Sequence, residues 1–393
     1  MPAPLVPDPT HALLALVLAG GPLAPRRRLL AAAGDATSAL AAGPGLWQRA
    51  GLDSRQRARL ANPDPAALES ALGWLAGGHQ RHLVGLGTGG YPPLLALAPE
   101  PPLALFVDGD ADLLLQPAVA LVGSRQASLA GGRMAAQLAG QLGRQRLCVA
   151  SGLAAGIDAA AHRACLEQGL PTLAVIGTGP DRCYPAGHRG LQAAIATAGA
   201  VVSEYPPGTA PRAGQFPARN RILAGLSLAV VVVEAALRSG ALITARLASE
   251  AGREVFAVPG SPLHALSRGC NRLLRDGAGL CEDAADVLPS LPPLARALGL
   301  ALTLPADMPA SPPPPTSGLG GPAGSEAAQV WQALGATGVD LDELVQHTGL
   351  TVAGVSAILL DLELAGWAVQ WQGHWQRAPA PPNPTAPPGA GRG

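Results

Sequence analysis

The sequence predicts an α/β protein: a largely parallel sheet covered by helices, preceded by a small helical unit and followed by a helical unit that ends in a β-hairpin. Three observations carry this reading. Between residues 118 and 290, short bulky apolar runs alternate with alanine-rich segments of helical period, and runs this continuous suit strands buried on both faces and joined by right-handed crossovers. The stretch PADMPASPPPPTSGLGGPAGS at 305–325 cannot propagate a helix or a strand ladder and reads as an extended linker. A length of 393 residues, at about 150 residues per domain, leaves room for two to three domains.

Each element follows in order. Residues 11–75 form several short helices broken by glycine-bearing turns such as LAGGPLAP and AAGPGLWQRAGL, the pattern of a SAM-like or helix-hairpin-helix unit assigned to 1–84. GLGTGGYPPLL and APEPPLALFVDGDADLL, within 85–117, mix turn signals with short apolar runs and mark a soft boundary. VALVG from Val119, LCVAS from Leu147, TLAVIG from Thr172, AVVSEY from Ala200, LAVVVVEA from Leu228 and EVFAVPG from Glu254 are the strands of an extended Rossmann-like sheet domain assigned to 85–304. Residues 326–377 give two or three helices and the hairpin GWAVQWQGHWQR, the layout of a winged helix. Residues 378–393 read as a disordered tail.

Composition excludes several chemistries. All 27 basic side chains are arginine, so there is no P-loop lysine, no Schiff-base lysine and no lysine general base. Five cysteines without a CxxC form neither a zinc ribbon nor a disulfide framework, which fits a reducing cytosol. No apolar run reaches the roughly 18–20 residues of a membrane span, and the expected location is the cytoplasm. Charge is balanced overall but polarised along the chain. Residues 121–282 hold 16 arginines against 9 carboxylates, and the segment from Glu326 onward holds two against six. The first is a footprint for phosphate or a solvated helix face; the second makes the winged helix a poor groove binder and points it toward protein contact.

The strand runs end in small or glycine-bearing loops, where an open parallel sheet binds its ligands and helix N-termini present free N–H groups to anions. Arg125, just after Gly123 and Ser124, can reach an anion held there, and Ser151 with Gly152 repeats the arrangement one strand over. Arg189 projects from a helix start beside Tyr184 and His188. The densest cluster is GQFPARNRILAGLS, Gly214 to Ser227. Phe216 beside Arg219, Asn220 and Arg221 has the make-up of a base-stacking and phosphate-clamping site for a single strand. The alternative is that Phe216 staples the loop to the core while one arginine pairs with Glu204 or Glu234.

Enzymatic readings have less support. Val122-Gly123-Ser124-Arg125 puts arginine where a dinucleotide fingerprint needs its second glycine, and no GxSxG is present. Asp158 and His162, four apart on one helix, read as a surface hydrogen bond, and His79 and His82 lack a third metal ligand. Glu234 is the one acid/base candidate, with the orientation of Arg219 or Arg221 as its expected role.

With these residues in view, the sequence resembles the DNA-processing protein A family (DprA, also called Smf). The resemblance rests on VGSRQAS from Val122, SGLAAGIDAAAH from Ser151, AVIGTGPDRCYPAGHRGLQ from Ala174, VSEYPPG from Val202, FPARNRILAGLS from Phe216, VVEAALRSGALITARLASEAGREVFAVPG from Val232 and GCNRLLRDGA from Gly269. It spans about 170 residues in the family's order. It implies a homodimeric, non-catalytic protein without cofactor or metal that binds single-stranded DNA and loads the RecA recombinase during natural transformation, and it leaves open whether double-stranded DNA is bound as well. The DNA-contacting positions it implies are Ser124, Arg125, Ser151, Gly152, Arg189, Gln215, Phe216, Arg219, Asn220 and Arg221. Two other classes stay open: a nucleotide-hydrolysing enzyme using the same rim with Glu234 as acid or base, and an adaptor acting through the acidic winged helix.

Overall fold

The computed structural model describes residues 8–297, 325–334, 338–371 and 373–378. The expected linker at 305–325 and the tail from 378 lie outside them, apart from Ser325 and Ala378. The chain divides into two compact units, Met1–Met308 and Pro309–Gly393.

The first unit opens with six short helices, α1 (Pro9–Leu18), α2 (Leu23–Ala33), α3 (Ala36–Ala41), α4 (Gly43–Arg49), α5 (Ser54–Ala61) and α6 (Pro65–Ala76). Four begin at an aspartate, Asp8, Asp35, Asp53 or Asp64, whose carboxylate accepts a backbone N–H of the first turn, satisfying one of the donors a helix start leaves free. Leu16, Leu29, Trp47 and Leu60 form the core of this cap. Leu14 and Trp74 pack on Phe106 of the sheet edge, with the two rings edge to face at 6.0 Å.

The sheet follows: β1 (Arg81–Gly85), α7 (Pro93–Ala96), β2 (Ala104–Gly109), β3 (Ala118–Val122), α8 (Leu129–Arg144), β4 (Cys148–Ser151), α9 (Ile157–Glu167), β5 (Thr172–Ile176), α10 (Arg189–Ala198), β6 (Ala200–Ser203), α11 (Gln215–Leu226), β7 (Ala229–Val232), α12 (Gly240–Glu250), β8 (Glu254–Ala257), α13 (Arg268–Arg275), β9 (Gly279–Leu280), α14 (Ala284–Val287) and α15 (Pro292–Ala297). Strand order is β1-β2-β6-β5-β4-β3-β7-β8-β9. All six apolar runs are strands, and β3 to β9 are parallel. The alternation along β3 splits the core in two. Val119 and Leu121 pack with Leu138 of α8 and Ile157 of α9, while Ala120 and Val122 pack with Leu223 of α11 and Ala245 of α12, as the two-residue strand period requires.

Residues 85–117 depart from a mere boundary. LALFVDG supplies β2, which pairs antiparallel with both β6 and β1. A six-residue run with one charged side chain, flanked by prolines, reads as a turn region until the sheet edge that pairs it is known.

The second unit contains α16 (Ser325–Ala333), α17 (Leu341–Thr348), α18 (Val352–Leu364) and the hairpin β10 (Ala368–Trp371) to β11 (His374–Arg377), the three-helix and hairpin layout of a winged helix. Val330, Trp331, Leu344, Val355 and Leu359 form its core. Arg377 lies 4.3 Å from the Trp331 ring centre and donates to the Trp331 and Gln332 carbonyls. No single helix among the described residues is long and apolar enough to cross a membrane.

Candidate nucleic-acid interface

From β3 the chain builds β4, β5 and β6 to one side, then returns to build β7, β8 and β9 to the other. The loops that leave β3 and β7 therefore diverge, and a crevice opens at the carboxyl ends of those strands. A cleft of about 550 Å³ occupies it, lined by the loop after β3 from Gly123 to Gln126, by Phe216, Arg219 and Asn220 of α11, and by the start of α12 at Gly240.

The loop after β3 is tightly held. Ser124 accepts the Gln126 N–H on its hydroxyl at 3.1 Å and the Ile157 N–H on its carbonyl at 3.1 Å. Gly156 has φ +79°, and a Cβ there would overlap the Ser124 carbonyl oxygen, so only glycine lets the start of α9 approach so closely. Glu234, at the end of β7, accepts the Ser128 N–H at 2.9 Å and the Ser128 hydroxyl at 2.5 Å, and Ser128 Oγ accepts the Gly131 N–H that opens α8. This corrects the expectation for Glu234: it orients the loop, and neither Arg219 nor Arg221. The loop runs six residues, 123–128, before α8 begins, and exposed Arg125 stands on it.

Arg125 lies 5.9 Å from the centre of the Phe216 ring, within reach of a cation–π contact. The Tyr184 ring lies 4.9 Å from Phe216 at a 40° tilt. Tyr184 is 46% exposed, so this aromatic pair is open to solvent rather than stapled into the core. Arg125, Gly152, Tyr184, Phe216 and Arg219 line a smaller recess of about 140 Å³ next to the cleft. The sequence reading puts Tyr184 only beside Arg189; its proline-flanked position in a chain with three tyrosines was the available signal, and its partner comes from tertiary packing.

Beneath the cleft, Arg219 is buried and donates to the carbonyls of Gly152 and Val175, while its Nε donates to Asn220 Oδ1 at 3.2 Å. Burial lowers its pKa to about 10, opposed by the nearby Asp158 and reinforced by Arg125. Asp158 accepts the N–H groups of Gly152 and Ala154, and burial holds its carboxyl above the usual carboxylate range. A Cβ on Gly152 would stand 2.6 Å from Arg219 Nη2 and 2.7 Å from Asp158 Oδ2. The expected surface hydrogen bond between Asp158 and His162 is not formed. His162 is buried, and its Nδ1 lies 2.7 Å from Thr172 Oγ1, whose own proton goes to the Val149 carbonyl, so Nδ1 is the donor. Helical spacing gave both residues one face, and that face turned out to be the sheet side. Burial, with the Arg219 charge, pushes the His162 pKa down to about 3.

The remaining positions scatter. Ser151 is fully buried and donates its hydroxyl to the Leu121 carbonyl at 2.6 Å, which ties β4 to β3. Gln215 caps its own loop by accepting the Arg212 N–H at 2.7 Å. Asn220 lines the cleft. Arg221 turns away and pairs with Glu204 at 2.5 Å, so the sequence alternative of an arginine paired with Glu204 holds for Arg221 while Phe216 stays at the cleft. Arg189, the first residue of α10, is exposed and lines a separate groove with Asp181 and Arg182.

The family model for DNA recombination-mediator protein A matches residues 82–292, more than half of the chain. The chain belongs to that family. A second model, the DprA winged helix domain, matches residues 308–374. Protein Smf of Escherichia coli is 37% identical over 335 residues, which cover 84% of this chain and 86% of that one. DNA processing protein DprA of Streptococcus pneumoniae is 48% identical over 198 residues, 50% of this chain and 70% of that one. The X-ray structure of DprA from Streptococcus pneumoniae superposes with a TM-score of 0.65 at 37% identity, covering 72% of this chain and 97% of the other. The chain therefore has a DNA-processing role as a recombination mediator.

Proposed function

We propose that this protein binds single-stranded DNA at the cleft between β3 and β7 and, as a cytoplasmic homodimer, delivers it to the RecA recombinase during natural transformation without turning it over. The observation that carries the reading is the solvent-open Tyr184–Phe216 pair with Arg125 beside it. Aromatic faces take bases of any sequence, and an arginine on a rigid loop takes the adjoining phosphate. Arg219 adds a positive charge under the floor, Gly152 and Ser124 supply close backbone, Asn220 and Gln215 supply amides along α11, and Arg189 extends the path toward α10. Ser151 contributes by fixing the strand beneath, and Arg221 by anchoring α11 to Glu204. The nucleotide-hydrolysing alternative needs Glu234 as its acid or base, and both Glu234 oxygens are engaged by Ser128.

The test is binding of a fluorescent oligothymidylate, single- and double-stranded, across a salt series. Each phosphate contact to a single strand contributes about 0.7 to the slope of log K against log salt. Arg125→Ala is expected to weaken binding to all sequences alike and to lower the slope by about that amount; an unchanged slope removes Arg125 from the interface. Stimulation of RecA filament growth on the same oligomer tests delivery separately.

A further inference from the structure

The helical cap carries a cationic surface that the cleft does not use. Residues 1–84 hold eight arginines against five carboxylates, and four of those carboxylates, Asp8, Asp35, Asp53 and Asp64, are taken up as helix N-caps. Arg26 is buried against backbone carbonyls of the α1–α2 turn, and Arg81 pairs with Asp108. The others are outside every ion pair found among the described residues.

Four of them gather around the α4–α5 turn. Arg28 donates from Nε to the Ala50 carbonyl at 2.9 Å and its Nη2 lies against Gly51, the two residues that follow Arg49 in the chain. Arg55 and Arg59 are one turn apart on α5, and Arg59 Nη1 flanks Gly20 in the α1–α2 turn. All four are exposed. Arg49 and Arg59 sit in the last turns of α4 and α5, where a cation offsets the helix dipole; Arg55 sits in the first turn of α5, where the dipole disfavours it. Helix stability therefore does not account for the cluster.

The cluster also has a route to the cleft. A groove of about 530 Å³ runs between Gly20–Gly21 and α11, lined there by Ala218 and Arg221, and Ala218 adjoins Arg219 of the cleft floor. Its two carboxylates, Glu100 and Glu204, both lie against Arg221, at 4.0 and 2.5 Å, and buried Arg26 is a second cation in the lining.

We propose that Arg28, Arg49, Arg55 and Arg59 form a second contact for the phosphodiester backbone of a single strand that continues from the Arg125–Phe216 cleft across this groove. The inference rests on the DNA-binding reading above. Trp47, the aromatic nearest in sequence, is buried, so the surface takes phosphates and leaves bases unread.

The experiment compares the full chain with the triple variant Arg49→Gln, Arg55→Gln, Arg59→Gln; glutamine is a good helix former, which keeps α4 and α5 intact. Probes are fluorescein-labelled oligothymidylates, one of about 12 nucleotides, within the usual span of one single-strand site, and one about five times as long. The expected result is unchanged binding of the short probe and a salt slope lower by about 2 for the long one, from about 0.7 per lost contact. Equal loss on both probes, or loss on neither, overturns the proposal, as does an unchanged long-probe slope with lost binding to phosphatidylserine vesicles. If the unaltered chain binds neither probe, the DNA-binding reading fails first; if Arg125→Ala abolishes short-probe binding while the triple variant keeps the long-probe slope, that reading stands and this one falls.

Discussion

Phe216 meets a guanidinium at 5.9 Å and a phenol ring at 4.9 Å and is only half-buried. Phe216→Ala is expected to cost about 1–3 kcal/mol of single-strand affinity, the worth of one stacked base, with little effect on the salt slope; fluorescence anisotropy separates this from the Arg125→Ala outcome. His162 gives a prediction of another kind. Its folded pKa of about 3 lies below the 6.5 of an ordinary imidazole, so the unfolded chain binds a proton that the folded chain refuses. The corresponding stability is complete above pH 6.5 and is lost as pH falls toward 3. Asp158, shifted upward, works in the opposite sense at lower pH. Between pH 7 and 5, His162→Gln is expected to flatten the fall in stability by about 2 kcal/mol, read as urea midpoints at the two pH values. A parallel fall in both proteins would show that another group governs it.

At the scale of elements, Glu234 links two strand ends to one helix start. It caps the loop that carries Arg125 through Ser128, and Ser128 in turn caps α8. Ser128→Ala is therefore expected to destabilise the protein by about 1 kcal/mol, as loss of an N-cap does, and also to weaken oligothymidylate binding by loosening Arg125. Thermal unfolding with a binding isotherm tests both parts, and a stability loss with unaltered binding would leave Glu234 and Ser128 as structural. The parallel strands and their helices were legible because buried strands write continuous apolar runs. Arg125 and Phe216 were legible because a cation just after a strand and a rare aromatic beside arginines stand out in the sequence, although Phe216, read as a loop residue, lies in the first turn of α11. The pairing of Glu234 with Ser128 and of Tyr184 with Phe216 was not, since each joins residues 32 or 106 positions apart. Such contacts depend on strand order, and the order β4-β3-β7 is not encoded in any local run. The edge strands β1 and β2 stayed hidden for the same reason.

At the scale of the whole molecule, the two compact units meet the polarised charge of the sequence. The described winged-helix residues contain one arginine, Arg377, and it is held against Trp331. Deleting residues 309–393 is therefore expected to leave oligothymidylate affinity and its salt slope unchanged; a lower slope would mean that the second unit contributes phosphate contacts after all. The cores described above also have an optical consequence. All six tryptophans, Trp47, Trp74, Trp331, Trp367, Trp371 and Trp375, lie outside residues 77–324, so the sheet that forms the cleft has no indole chromophore. Selectively excited emission from this protein reports the helical cap and the winged helix, and a strand that occupies only the cleft will leave it almost dark. Quenching on addition of a long strand, absent with a short one, would be a label-free sign that the strand has reached the cap, with Trp47 as its nearest reporter.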